Sequence, residues 1–308
     1  MAASENAEAV SPRVSPSGVL LLDKPTGLTS NAAVQKVRRL FSRAKAGHTG
    51  TLDPLASGLL PVCLGEATKF SLPLLDSSKS YRASLRLGWC SSTGDAEGEL
   101  SEVAPPQFDE KQLNDAVNEL TGQIEQIPPM YSAVKVGGRP LYSLARKGVN
   151  VERAARRVHI HEFRVTRQTE DSLEIFVTCS KGTYIRVLAE DLGERLGCGA
   201  YLTALRRVAI GALDLSEAIG FEQLEAASMS ERLALLKSTD LLLEDLPQLR
   251  LDEPRSKRLC HGMTIPGFTD LAPLQRARIY SDDGRFLGLG EIDEAGVLKP
   301  KRLMAEPF

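Results

Sequence analysis

The sequence predicts a mixed α+β domain on a mostly antiparallel sheet, followed by a small C-terminal β-barrel. Short apolar runs suited to strands alternate with amphipathic helical stretches, and tight glycine turns join several runs as hairpins would. From about Leu249 the texture shifts to short segments separated by Gly262, Gly267, Gly284, Gly288, Gly290 and Gly296. Neither a GxGxxG nor a P-loop pattern occurs, which argues against a dinucleotide or nucleoside-triphosphate enzyme. With 308 residues, 42% hydrophobic and 25% charged, the chain can bury a large domain and a small one.

Met1 to Pro16 is rich in Ala, Ser, Glu and Pro and has no apolar core of a signal peptide, so it reads as a disordered tail. Gly18–Asp23 reads as a buried strand, Lys24–Ser30 as a turn, and Thr29 or Ser30 as the N-cap of a helix. The apolar face of that helix is Val34, Val37, Leu40 and Phe41. Leu59–Leu64 and Ser80–Gly88 read as strands, with a turn at Ser92–Gly98 that contains Asp95. Asp109–Gly122 carries a helical stripe of Leu113, Val117 and Leu120. Gln126–Lys135 is a proline turn entering a strand, and Arg139–Gly148 a short basic helix.

Val158–Val165 and Leu173–Cys179 have strand character. Lys181–Arg186 is a glycine turn into a helix striped by Ile185, Leu188, Leu192 and Leu196, and Gly197–Ala200 then turns the chain into Tyr201–Val208. Helices over Phe221–Ala227 and Ser230–Lys237 lead to the boundary. Beyond it Arg276–Tyr280, Phe286–Leu289 and Val297–Leu298 are short strands around the turn Asp282-Asp283-Gly284. The expected organisation is a tail over 1–16, a main domain over 17–248 and a small one over 249–308.

One stretch fits neither period: Gly47-His48-Thr49-Gly50-Thr51-Leu52-Asp53-Pro54-Leu55-Ala56-Ser57-Gly58. Its glycines allow sharp bends and close approach, while Pro54 restricts the backbone of Asp53. A lone Asp in such a turn is ordinarily a turn former. A neighbouring His and a rigid frame raise the functional reading, because catalytic groups sit on loops held by scaffolds.

The five cysteines are scattered and form no CxxC pair, which argues against a disulfide framework and a zinc site. His159 and His161 share a strand face without a third ligand, so no metal is expected. No apolar run is long enough for a bilayer, and a reduced cytoplasmic setting follows. Net charge is only −2, but it is segregated. Between 130 and 167 lie Lys135, Arg139, Arg146, Lys147, Arg153, Arg156, Arg157, Arg164 and Arg167 against Glu152 and Glu162. Between 92 and 126 the sign reverses. A basic face for an anion explains this, as do solvated helix faces.

The Gly47–Gly58 stretch resembles the active-site loop of the TruB family of tRNA pseudouridine synthases, with Ser57 where Thr is common. The segment Lys24–Ser30 resembles that family's opening KPxGxTS pattern. The resemblance runs from Gly18 to about Leu243, and more loosely the C-terminal part resembles a PUA-like domain. It implies a pseudouridine synthase fold and isomerisation of a tRNA uridine, U55 of the TΨC loop, with no cofactor. Asp53 would be the nucleophile, whether at base C6 or ribose C1′ being left open.

Tyr81 resembles the tyrosine that packs on the target base and is a candidate for proton transfer. Arg186 resembles the arginine paired with the catalytic Asp, whose guanidinium would lower the Asp pKa and orient it. Tyr184 resembles a pocket residue, Leu205 the apolar wall beneath the uracil, and His48 the residue that fills the RNA loop vacated by the flipped base. Lys24 is a substrate-binding candidate. Lys135, Arg146, Lys147, Arg153, Arg156, Arg157, Arg206 and Arg207 are candidates for the RNA backbone. The implied partner is the T-arm stem-loop of tRNA, with no membrane, no obligatory protein partner and a monomeric state. The rivals are a guide-dependent relative of the dyskerin type and a non-catalytic RNA binder that keeps the pocket as a base trap.

Overall fold

Val19–Leu22 is apolar on both faces and forms the middle of strand β1 (Gly18–Lys24), buried from both sides. The computed structural model describes residues 16–132, 134–270 and 275–305; the expected tail, apart from Pro16, and Ala133 of the strand expected after the proline turn lie outside them. Helix α1 (Ser30–Leu40) follows, capped by Thr29, whose hydroxyl accepts the Ala32 N–H at 3.1 Å. That leaves Ser30 free to turn inward. Strands β2 (Ala46–His48) and β3 (Ala56–Leu64) bracket the Asp53 loop, so the last residues of the glycine-rich stretch are strand rather than turn.

After helix α2 (Leu72–Asp76) come strand β4 (Lys79–Leu87) and the hairpin β5 (Trp89–Ser91) with β6 (Leu100–Glu102). Helix α3 (Glu110–Glu119) starts with a capping box between Asp109 and Gln112 and leads to β7 (Gly122–Gln126). A small hairpin, β8 (Lys135–Val136) and β9 (Arg139–Pro140), carries the basic helix α4 (Leu141–Ala145), shorter than the sequence suggested. Strands β10 (Arg156–Gln168) and β11 (Ser172–Cys179), helix α5 (Ile185–Arg195), and strands β12 (Ala200–Ile210) and β13 (Leu213–Asp214) complete the sheet. Helices α6 (Phe221–Ala226) and α7 (Met229–Ala234) then return along its edge.

The sheet order is β1-β3-β12-β4-β11-β10-β7, with β2 on β3 and β13 on β12. Every pairing in it is antiparallel except β3 with β12, which are parallel at Leu205↔Ala56, Arg206↔Ser57 and Arg207↔Gly58. Alternate residues Ala83, Leu85 and Leu87 of β4 and Leu173, Ile175 and Val177 of β11 face α1, α3 and α5 in one core. On the other side, Val19, Leu21, Leu59 and Cys63 pack with Phe70, Leu242 and Leu289. Leu289 lies in the C-terminal sheet, which this second core ties to the first.

That C-terminal part, expected as a small β-barrel, is a four-stranded sheet of β14 (Gln248–Leu251), β15 (Arg276–Ser281), β16 (Phe286–Ile292) and β17 (Leu298–Leu303) in that order. Helix α8 (Glu253–Cys260) packs on it through Leu259, and the Asp282-Asp283-Gly284 turn joins β15 to β16 as expected. Among the described residues no helix is long and apolar enough to cross a membrane.

Candidate active site

The loop that carries Asp53 is pinned from several directions. The buried Ser30 hydroxyl accepts the Leu52 N–H at 2.8 Å and donates to the Leu52 carbonyl at 3.0 Å. The Gly27 N–H reaches the Pro54 carbonyl at 2.8 Å. On the strand side, the loop descends onto β12 so closely that a Cβ at Gly58 would sit 2.2 Å from the Arg207 carbonyl oxygen, with φ at +101°. Only glycine fits there.

Asp53 opens into a cavity of about 300 Å³, within the range of small-molecule sites. Its walls include Tyr81 of β4, Leu205 and Arg207 of β12, Thr183–Arg186 at the start of α5, and Lys79. Tyr81, Leu205 and Arg207 meet because the β4–β12 register places Arg207 opposite Tyr81 and Leu205 opposite Ala83, on one face. Tyr184 is the N-cap of α5 and is fixed through its backbone: its N–H donates to Gln126 Oε1 at 3.0 Å and its carbonyl accepts from Gln126 Nε2 at 3.3 Å.

Arg186 is 4% exposed and makes four contacts. Its Nη2 lies 2.9 Å from Asp53 Oδ2 and donates to the Tyr131 carbonyl at 2.8 Å. Its Nη1 donates to the Thr93 carbonyl at 2.9 Å, and Nε stands 3.5 Å from Asp95 Oδ2. The expected pair is therefore present, but its effect on Asp53 differs from expectation. Burial raises the Asp53 pKa above the ordinary carboxylate value, Arg186 pulls it back, and Asp95 pushes it up again. The balance is upward, although the side chain keeps 38% exposure at the pocket mouth. Arg186 restrains the shift and fixes the carboxylate's direction.

Tyr81 is a neutral phenol, because burial drives its pKa up while Arg207 opposes the shift. Burial and the nearby Arg207 lower the His48 pKa, so the ring is neutral at pH 7. His48 lies on β2, just ahead of the loop.

Two candidates are not where the sequence reading put them. Lys24 is buried, and its ammonium donates to the carbonyls of Pro25 at 2.8 Å and Leu28 at 2.7 Å. Burial lowers its pKa to about 8 while Asp53 works against that shift, and Lys24 does not line the cavity. Arg207, expected at the RNA backbone, is 1% exposed. Neighbouring residues on a strand point to opposite faces, so Arg206 and Arg207 cannot both face RNA.

Arg206 is on the outer face, paired with Asp23 at 2.6 Å. That face holds a larger cleft of about 760 Å³ lined by Arg82, Arg164, Glu174, Phe176 and Arg206. It shares Leu205 with the first cavity but neither Asp53 nor Arg186, so the smaller cavity is the candidate active site.

Of the remaining basic residues, Lys135, Arg146, Lys147, Arg156 and Arg157 are exposed. Arg153 instead spends its guanidinium on the carbonyls of Val151 and Pro128, both at 3.1 Å. The β8–β9–α4 arm follows Tyr131, whose carbonyl accepts from Arg186, and Ser132, which lines the pocket, so its cations lie next in sequence to the site. Sequence reasoning missed Asp95, Gln126 and Lys79. Asp95 had the look of a plain turn former, and nothing in its surroundings signalled that it is buried beside Arg186. Among the described residues no group of three His, Cys, Asp or Glu side chains could hold a metal ion.

Three family descriptions match along the chain: TruB family pseudouridylate synthase (N terminal domain) over residues 38–185, tRNA pseudouridylate synthase B C-terminal domain over 186–246, and pseudouridine synthase II TruB, C-terminal over 247–304. The tRNA pseudouridine synthase B of Aromatoleum aromaticum is 53% identical over 288 residues, covering 94% of this chain and 92% of that protein. Its namesake from Dechloromonas aromatica is 50% identical, covering 93% and 95%. Among solved structures, a chain of a Cbf5-Nop10-Gar1 complex shares the fold with a TM-score of 0.72 at 24% identity, covering 94% of this chain and 85% of that one. A chain of an H/ACA RNP bound to a substrate RNA containing 2′-deoxyuridine gives 0.72 at 22%, covering 96% and 87%. With family matches running in order from residue 38 to 304 and relatives half-identical over nearly its whole length, the chain belongs to the TruB family of pseudouridine synthases.

Proposed function

We propose that the protein isomerises one uridine of tRNA, U55 in the TΨC loop, to pseudouridine, with Asp53 as the nucleophile and without a guide RNA. The observation that carries this is the Asp53–Arg186 ion pair at the mouth of a cavity walled by Tyr81 and Leu205. A pure binder has no use for an oriented carboxylate beside phosphate. The reaction breaks the N1–C1′ bond, forms C5–C1′ and transfers a proton from C5 to N1. It needs no redox partner or cofactor.

The target base must leave the stack to present its glycosidic bond. Leu205 and Tyr81 then hold it, Arg186 keeps Asp53 ionised and aimed, and Tyr81 is placed for the proton step. His48 fills the space the base left. Lys135, Arg146, Lys147, Arg156 and Arg157 contact phosphates, with loop shape supplying specificity. The catalytic domain spans 17–248 and a PUA-like domain 249–308. The protein acts as a cytoplasmic monomer.

The test is pseudouridine formation and tRNA affinity, measured together on an unmodified transcript for the wild type and Asp53→Asn. Modification of one T-loop uridine by the wild type, with Asp53→Asn binding but inert, is expected. Binding without product in the wild type would leave only the base-trap reading. Turnover by Asp53→Asn would remove Asp53 as nucleophile.

A further inference from the structure

Arg207 is a buried guanidinium that, among the described residues, pairs with no carboxylate; its side-chain neighbour is the neutral Tyr81 phenol. A buried charge is costly unless its donors are satisfied. Here they are spent on one structure. Nε donates to the Leu59 carbonyl at 2.8 Å, Nη2 to the Gly50 carbonyl at 3.1 Å, and Nη1 reaches the Thr51 carbonyl at 3.5 Å. Gly50 and Thr51 precede Asp53, and Leu59 follows it. The guanidinium thus bridges the incoming and outgoing limbs of the Asp53 loop.

The backbone is seated to match. Gly58 packs against the Arg207 main chain, and a Cβ at Gly50 would stand 3.5 Å from Nη1. Across the sheet, Arg207 is the ladder partner of Tyr81, and the two side chains interact.

We propose that Arg207 is a positioning residue of the isomerisation, a clamp that sets the Asp53 loop and the Tyr81 ring in one fixed relation. This rests on the functional reading above. Arg186 aims the carboxylate from the far side of the pocket; Arg207 fixes the distance between the carboxylate's backbone and the phenol. Tyr81 is also faced by Cys179 of β11 and Asp53 of the loop, and of these neighbours Arg207 alone is a cation.

The test uses full-length Arg207→Met and Arg207→Lys with unmodified tRNA transcript. Single-turnover rates at saturating RNA are measured beside tRNA Kd, and the Tyr81 ¹³Cζ resonance of the RNA-free protein is followed by NMR, assigned with Tyr81→Phe. Misplacement of reacting groups by about 1 Å costs on the order of 10²-fold, so Arg207→Met is expected to lose about that much rate. Its Kd should change less than about threefold, because the residue is out of reach of RNA, and the Tyr81 resonance should move. Arg207→Lys keeps the cation but cannot bridge three carbonyls; it should lose about tenfold in rate, between the other two proteins.

An unmoved Tyr81 resonance with a wild-type rate in Arg207→Lys would overturn the proposal. So would a tenfold weaker Kd with the rate intact, which returns Arg207 to the RNA surface. If Arg207→Met does not fold, Arg207→Lys decides by the same readouts. If the wild type forms no pseudouridine, the functional reading fails by itself, and the resonance still tests the clamp.

Discussion

Arg186→Lys keeps a positive charge beside Asp53, so it separates charge from geometry. The guanidinium serves four acceptors with three nitrogens: Asp53 at 2.9 Å, Tyr131 O at 2.8 Å, Thr93 O at 2.9 Å and Asp95 at 3.5 Å. One ammonium can satisfy about half of them, and the four do not converge on one point. At least one buried carbonyl and the buried Asp95 lose a partner. At about 1–3 kcal/mol for each acceptor left unsatisfied, folding stability falls by about 2–6 kcal/mol.

Catalysis suffers differently. Asp53 remains near a cation but is no longer aimed, and misplacement of that kind costs on the order of 10²-fold. The assay is single-turnover tritium release from 5-³H-uridine tRNA at saturating enzyme, with Kd measured by filter binding. The expected result is a rate about 10²-fold lower and a Kd changed less than threefold. If Asp53 is the nucleophile, as proposed, it must be ionised to attack; its pKa lies above the ordinary value, so the wild-type rate should rise with pH through an inflection above 3.8. In Arg186→Lys that inflection should stay close to wild type; in Arg186→Met it should move higher, since the downward pull is gone. A rate within tenfold of wild type for Arg186→Lys, or a loss seen in Kd alone, would refute the reasoning.

Ser30→Ala removes both hydrogen bonds that tie Leu52 to α1 and leaves a buried N–H and carbonyl without partners; a loss of about 2–3 kcal/mol in urea unfolding is expected. Glu190 is partly buried, and burial raises its pKa to about 6 from 4.5. The folded carboxyl holds a proton that the unfolded chain releases, so its contribution is full below pH 4.5 and is lost as pH rises to 6. Glu190→Gln should therefore gain about 1 kcal/mol at pH 7.5, after discounting for partial exposure, and nothing at pH 4.5, by urea unfolding at both values. Replacing Lys135, Arg146 and Lys147 together by Ala should reduce the slope of log Kd against log salt by about 2–3, measured between 50 and 200 mM, if each meets a phosphate.

The features legible in the sequence are those with local causes. The Thr29 cap, the stripe Leu113, Val117, Leu120 and the stripe Ile185, Leu188, Leu192 each sit within about one turn of their consequence. The Asp53 loop was legible through its glycines, and the resemblance gathered Tyr81, Arg186 and Leu205 around it. What escaped depends on register. Whether Arg206 or Arg207 faces inward is decided by the pairing of β12 with β4 and β3, set by contacts far along the chain. Lys24 escaped similarly: a lysine in a KP turn gives no sign that two carbonyls will enclose its ammonium. Asp95 sits in a seven-residue turn whose composition explains itself without a buried arginine, so pattern reading had no reason to look further. The Asp53 pKa shift was misjudged because a partner cation can be seen in sequence and burial cannot.

The parallel pairing of β3 with β12 has a consequence for synthesis. Strand β12 lies between β3 and β4, so the two halves of the sheet share no ladder until the chain has been made beyond residue 210. Until then the Asp53 loop lacks its floor: Ser57 and Arg206, in contact in the finished protein, are 149 positions apart. Contacts of such separation are slow to close and are reached late. A ribosome-bound chain that already displays the complete Gly47–Gly58 loop therefore has no working pocket. A nascent synthase stays chemically silent towards the tRNAs crowding the ribosome until its central strand has emerged and locked the two halves together.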